Sequence, residues 1–255
     1  MFRIFRKTRK WLLSQQKFSK YFIYASGEVL LIVIGILIAL AINNWNQSNQ
    51  ARDRERFYLQ GLHDEFSQSR LKLLNLMEVN QNSYRDARKL AVMMEQNIIS
   101  NEAELSTLLF NSLSYEIDYN PNNSLVTEII NTGGLKDISN PELRSHLTMW
   151  DSYLQSIRRQ ENSLREQREK LLDLFRKETY SIRTILQNTD ISGPVLGNLQ
   201  PNPEISNQHI LKDREFENNL LIYIVTGLSS ENYHYTPLLK EIDQILATIE
   251  KELEN

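Results

Sequence analysis

Residues 29–42 read VLLIVIGILIALAI, an unbroken run of fourteen apolar or glycine residues. Such a run is driven out of water wherever it is placed, so it fixes the first decision about the chain. Fourteen residues alone fall short of the roughly 20 that cross a bilayer as a helix. The run extends backwards through Tyr21, Phe22, Ile23, Tyr24, Ala25, Ser26 and Gly27, and forwards to Trp45. Tyr21, Tyr24 and Trp45 then fall where interfacial aromatic side chains sit. The reading is a single transmembrane helix over 21–45, preceded by a head, 1–20, and followed by a domain, 46–255. Two readings compete with it. Ala39-Leu40-Ala41 fits the small-x-small pattern of a signal-peptide cleavage site, but the 28 residues before the run exceed a usual signal n-region. The other is a buried core helix, against which the basic cluster beside the run speaks.

That cluster also sets orientation. Residues 1–28 hold seven basic side chains (Arg3, Arg6, Lys7, Arg9, Lys10, Lys17, Lys20) against one acid, Glu28, while Arg52, Arg54 and Arg56 follow the span. The positive-inside bias keeps such an N-terminus in the cytoplasm and exports the domain. Phe2, Phe5, Trp11, Leu12 and Phe18 are interspersed with the basic residues. The head therefore reads either as an amphipathic helix on the inner leaflet or as a plain topogenic tail. Of 29 basic and 32 acidic residues in the chain, 22 and 31 remain for residues 29–255, so the domain is acidic. Phosphate contacts need clustered Lys and Arg, so nucleic acid is not an expected partner. With no cysteine there is no disulfide, thiolate nucleophile or Cys-based zinc site.

Within the span, Glu28, Gly35 and Ala39 are candidates for contacts between membrane helices. A carboxylate inside hydrocarbon is costly unless neutral or paired. Glu28 thus reads as a headgroup-level residue, a helix–helix contact, or a proton or ion carrier. Gly35 and Ala39 form a small-x-x-x-small pair, which lets two backbones approach closely. The partners implied are the lipid bilayer and a second copy of the chain or another membrane protein.

Beyond the span, helix breakers are few, with 8 Gly and 6 Pro in 255 residues. Residues 52–100 carry Leu62, Phe66, Leu73, Met77, Tyr84, Ala87, Ala91, Met94 and Ile98, mostly three and four apart. This predicts a long amphipathic helix that can run on from the span. A shorter helix is expected over 101–117, ended by the turn DYNPNN at 118–123. Ser124 is expected to cap a helix that Gly133-Gly134 stops. Asn140-Pro141 has the form of an N-cap with proline at the first helical position. The helix it opens carries Leu143, Leu147, Trp150, Leu154, Ile157, Leu164, Leu171, Phe175, Ile182 and Ile185 at heptad spacing, to about Gln187. A strict 3.5-residue repeat implies supercoiling against a neighbour. Residues 188–212, with Gly193, Pro194, Gly197, Pro201 and Pro203, read as a long loop with room for short strands. Loops of this kind often carry recognition residues. Residues 213–227 are helical again, and Thr236-Pro237 is expected to open the last helix, with Leu239, Ile242, Leu246, Ile249 and Leu253 on one face. The fold class is all-α, a single N-terminal transmembrane helix followed by an extended helical bundle.

Polar residues interrupt the stripes at Arg70 and Asn80 in the first long helix and at Glu161 and Arg168 in the second. Facing one another, they would make a buried polar layer that sets register or binds a small polar ligand. Otherwise they lie at a rim. The four histidines, His63, His146, His209 and His234, match no metal-ligand spacing. No Gly-x-Ser-x-Gly elbow or phosphate-binding loop is present, and no cofactor is expected.

Residues 27–46 (GEVLLIVIGILIALAINNWN) and 132–153 (TGGLKDISNPELRSHLTMWDSY), together with the basic and aromatic head, resemble a family of bacterial single-pass membrane proteins of unknown function. The resemblance implies an inner-membrane protein and carries no catalytic residues with it. The expected function is that of a non-enzymatic, membrane-anchored interaction protein: a scaffold, sensor input or accessory subunit. The alternatives are a subunit of a transport or proton-driven complex, resting on Glu28, and a hydrolase built from carboxylates on different helices.

Overall fold

The computed structural model describes residues 18–96, 101–189, 193, 197 and 205–254. Among these every regular element is helical, in agreement with the all-α expectation. Residues 1–17 of the basic head, residues 97–100 and most of the Gly- and Pro-bearing loop lie outside the described residues. The chain divides into two units, one ending at Phe57 and the other beginning at Tyr58.

Helix α1, Phe18–Gln96, contributes to both. In the first unit its apolar side chains are exposed, Leu31 to 70% and Ile23 to 68%. Its most apolar window has a mean hydropathy of 2.6, enough by length and composition to cross a membrane. A Cβ added at Gly27 or Gly35 would meet no atom within 4 Å, so packing within the described chain requires neither glycine.

The second unit is built on long helical runs that bury one face each. The first is the part of α1 from Tyr58 onwards. Helix α2, Glu102–Leu113, and helix α3, Ser124–Thr132, follow it. Helix α4 is Pro141–Phe175, and helix α5, Ile182–Gln187, is a short addition. Helix α6, Arg214–Ser230, passes through a π-helical turn, Glu231–Tyr235, into helix α7, Thr236–Glu254. The α6–α7 run is antiparallel to α4, because Asn140 bonds Glu252 while Gln160 bonds Ser230. It is antiparallel to α1 as well, since Arg70 pairs with Asp243 and Asn80 with Glu231.

Local chemistry sets the helix ends. Asn140 Oδ1 accepts from the amides of Glu142 and Leu143, and Pro141 needs no such partner, as the sequence predicts. Gly133 adopts φ 73°, the left-handed conformation that closes α3. At the other end of α3 the expectation fails. The N-cap position is Asn123, not Ser124, and its side chain makes no capping bond. Glu65 on α1 takes over, accepting from the amides of Leu125 and Val126 at 2.8 and 3.1 Å.

Two further expectations are corrected. Helix α4 ends at Phe175 instead of near Gln187. Tyr180 turns its ring between Phe175 and His209, with centroids 5.7 and 4.7 Å away, and its hydroxyl donates to Asp213. Ser181 then caps the separate helix α5 through the Thr184 amide. These contacts outweigh the heptad pattern, and Ile182 is left 43% exposed. Thr236-Pro237 does not open a new helix either. The backbone stays right-handed helical through Ser230 and Thr236, and the Thr236 N–H donates to Glu231, five residues back. Proline has no N–H to give, and one widened turn accommodates it without a break.

Candidate functional site

The interior of the second unit is polar where α1, α4 and the π turn meet. Asn80 and Glu161 are each 1% exposed. Asn80 Nδ2 donates to the Gly227 carbonyl and to Glu231 Oε2, both at 3.1 Å, and Gln81 Nε2 donates to Glu231 Oε1 at 2.8 Å. The close approach is set by Gly227, where a Cβ would come within 3.3 Å of Tyr84 and 3.5 Å of Asn80 Oδ1. Glu161 Oε1 accepts from the Tyr119 N–H at 2.9 Å and from the Tyr235 O–H at 3.1 Å. Its other oxygen, Oε2, is buried and has no hydrogen bond. Tyr119 in turn donates through its hydroxyl to the Ser69 carbonyl at 3.0 Å. Gln160 Nε2 reaches Ser230 Oγ at 3.1 Å on the same level.

Burial, above all, pushes the Glu161 carboxyl up to about 7. Hydrogen bonds from Tyr119 and Tyr235 work against that rise, and the Asp118 charge adds to it. Burial likewise raises the Tyr119 and Tyr235 hydroxyls, with the Glu161 charge contributing to both. Both tyrosines therefore stay protonated and act as donors.

The other residues singled out from the sequence lie elsewhere. Arg168 is half-buried on the α4 seam, and its Nε donates to the Leu113 carbonyl at 2.7 Å. A cation thus satisfies the C-terminal end of α2, and Tyr223 does the same for Ser112 at 3.0 Å. Arg70 lies at the surface, paired with Asp243 at 2.6 Å. The inward position is its neighbour Ser69, fully buried. Glu28, Gly35 and Ala39 are exposed in the first unit.

Several members of the layer were not legible beforehand. Ser69, Tyr119, Glu231 and Tyr235 all point inward, and Glu231 and Tyr235 are four apart on the π turn. His146 also finds an unforeseen partner, Glu241, with Nδ1 at 2.6 Å from its carboxylate. Among the described residues no group of His, Cys, Asp or Glu is arranged to hold a metal ion. The cavity beside the layer, lined by Ile117, Leu164, Arg168 and Tyr223, measures about 10 Å³, room for one water. The layer offers a titratable carboxyl and fixed donors, and an open groove of about 340 Å³ lies on its outer side, lined by residues of α1 from Lys72 to Val79 and by Asp118, Tyr119 and Asn120.

The outer surface has a different character on α6. Leu221, Ile222, Val225 and Leu228 are 46%, 49%, 65% and 37% exposed, and Tyr233 on the π turn is 76% exposed. The same helix buries Phe216, Leu220, Tyr223 and Ile224 on its inner side. From Leu220 to Leu228 the helix is apolar on nearly every side, and such a stretch is normally covered all round. Contiguous exposed apolar side chains of this kind mark interaction surfaces.

A family model described as a family of unknown function (DUF6090) matches residues 28–177. The match begins within the apolar span and takes in the layer residues Asn80, Tyr119 and Glu161. Comparison with curated proteins gives no match, and comparison with solved structures gives none.

Proposed function

The chain belongs to that family of unknown function, whose model takes in residues 28–177 of its 255, and on this footing we propose that it is a membrane-anchored protein whose helical second unit works by binding another protein. The observation that carries the reading is the open apolar face of α6: Leu221, Ile222, Val225 and Leu228. Water-facing apolar side chains on a helix that already supplies the core are costly in isolation, and a protein partner would cover them. The inner layer, by contrast, commits its side chains to hydrogen bonds that join α1, α4, the π turn and the 115–123 segment, which suits a structural or switching role.

In this reading residues 21–45 anchor the chain in a bacterial inner membrane, with the basic head in the cytoplasm and the second unit in the periplasm. The charge bias across the span supports that orientation. Gly35 and Ala39 are the positions at which a second membrane helix would pack, because a small-x-x-x-small pair lets two backbones approach closely and nothing lies within 4 Å of a Cβ added at Gly35.

Val225→Glu tests the binding role. A charge placed in an apolar interface must be buried unpaired or the interface must part, so recovery of the partner from detergent extracts falls at least about tenfold, equivalent to about 1.4 kcal/mol. Because Val225 is 65% exposed, helicity and thermal midpoint stay at wild-type values. An unchanged set of co-purifying proteins in a folded Val225→Glu protein removes the α6 face from the account.

A further inference from the structure

We propose that Glu161 is a proton-binding site that fastens the 115–123 segment to the bundle: the segment is held closed while the carboxyl carries a proton and loosens when the proton leaves. This goes beyond the binding role proposed for α6 and does not depend on it.

The segment joins α2 to α3 without regular structure. It is nonetheless tied inward. Ile117 and Tyr119 are each 5% exposed. The Tyr119 N–H is held by Glu161 Oε1 and its O–H by the Ser69 carbonyl. Asn122 is clamped through its N–H to Ser69 Oγ at 2.9 Å, and its side chain accepts from Lys72 at 2.6 Å. Glu161 is therefore the anchor on α4, and Ser69 and Lys72 are the anchors on α1.

The charged and titratable groups around Glu161 favour its neutral form. From the segment come Tyr119 and Asp118, and from the π turn come Tyr235 and, beyond it, Glu231. From α1, Lys72 shares a groove with Asp118 and Tyr119 and donates to Asn122, while Asn80 and Gln81 are neutral amides committed to Glu231. On α4 itself Arg165 is engaged by Glu116 at 2.7 Å and lies 3.9 Å from Asp118. Among the described residues no ion pair reaches Glu161. Ionised, Glu161 would hold a buried negative oxygen, Oε2, with no donor and with Asp118 nearby. Protonated, it keeps Oε1 as acceptor for Tyr119 and Tyr235 and gains a hydrogen on the orphan oxygen, for which Asp118 is the acceptor within reach. The relief open to the ionised form is water, which reaches Oε2 once the segment lifts. The step is a simple dissociation: the carboxyl proton passes to solvent, and the charge left behind is hydrated as the segment opens.

The direction follows from linkage. The carboxyl titrates near 7 when closed in and near its ordinary 4.5 when hydrated. The closed form is thus fully favoured below the lower value, and the preference drains away as pH rises to the higher one. Across that window the ratio of open to closed segment rises by up to roughly 300-fold. His234, whose pKa is lowered by burial and by Arg159, contributes equally in variants that alter Glu161 alone.

The test uses the full chain in detergent micelles. Hydrogen exchange of residues 115–123, corrected for intrinsic rates, is measured between about pH 5 and about pH 8. In the wild type, opening of the segment rises on the order of 100-fold over that range. In Glu161→Gln, which keeps the acceptor oxygen and cannot ionise, the segment stays protected throughout. Asp118→Asn leaves Glu161 in place and removes its negative neighbour, so the transition moves to lower pH. The infrared band of a protonated carboxyl, absent in Glu161→Gln, titrates with the same midpoint as the exchange. If Glu161→Gln fails to fold, the Asp118→Asn shift and the carboxyl band decide. An opening that follows pH in the same way in Glu161→Gln overturns the proposal, as does a Glu161 already ionised at about pH 5. A band that titrates with no change in segment exchange overturns it too.

Discussion

Trp150→Ala lowers the stability of the second unit by about 3–5 kcal/mol, the usual cost of deleting a fully buried aromatic side chain. Trp150 is 1% exposed and meets Phe66 edge to face with centroids 4.9 Å apart, so the truncation leaves a cavity between α1 and α4 and loses that ring contact as well. Trp150→Phe separates the two components. It keeps a ring against Phe66 and removes the indole N–H, which is buried without a hydrogen-bond partner. That variant therefore costs about 1–2 kcal/mol, for the volume alone. Urea unfolding of the full chain in micelles, followed by circular dichroism, measures both. A Trp150→Ala protein within about 1 kcal/mol of wild type would mean that α1 and α4 are not packed as described.

Asn80→Leu costs about 2–4 kcal/mol, although leucine is the more hydrophobic residue. Asn80 supplies donors to the Gly227 carbonyl and to Glu231, which is itself only 6% exposed. Removing one partner leaves a buried carboxylate short of a donor, and that penalty exceeds the gain from an added apolar side chain. The accompanying double variant makes the point sharper. With Glu231→Met the acceptor is gone too, and Asn80→Leu then costs much less than it does alone, a coupling of about 1–3 kcal/mol in a double-mutant cycle. Strictly additive losses would show that the Asn80–Glu231 contact carries no energy of its own.

Much of this architecture is legible in the sequence because buried side chains recur every three or four residues. The α4 seam from Leu143 to Phe175 is complete in that pattern, with Glu161 and Arg168 standing where apolar residues were due. In α1 the pattern is ambiguous at one step. Phe66 and Leu73 are seven apart, and either Ser69 or Arg70 between them satisfies the spacing. The eye goes to the charge, while the interior takes the small residue whose hydroxyl can bond the neighbouring segment. In the last helical run Ser230 and Tyr235 are both fully buried although a step of five separates them, and Glu231 between them is turned inward as well. That step is the π turn, and it lies just before Pro237, which read alone suggests a helix start.

The remainder depends on partners far away in the chain. Nothing near Ser124 announces that Glu65 will bond the first turn of its helix. No glycine or proline marks the end of α4, because Tyr180, His209 and Asp213 end it together. Tyr119 lies within a turn rich in Asn and Pro, and its burial follows from the carboxyl that α4 brings to its N–H and the Ser69 carbonyl that α1 brings to its hydroxyl. The apolar outer face of α6 was in plain view as a composition, but without the fold it could not be told from a core stripe.

The proposed placement of the second unit outside the cytoplasm, with the α6 face on a protein partner, is open to direct test at Val225. The chain has no cysteine, so Val225→Cys introduces its single thiol. The decisive measurement is cross-linking from that thiol in intact spheroplasts, with a membrane-impermeant reagent joining thiols to amines. The account predicts discrete adducts from Val225→Cys and none of those bands from Glu166→Cys, an exposed position on α4. Adducts that form only after the membrane is ruptured, or the same bands from both positions, would contradict it.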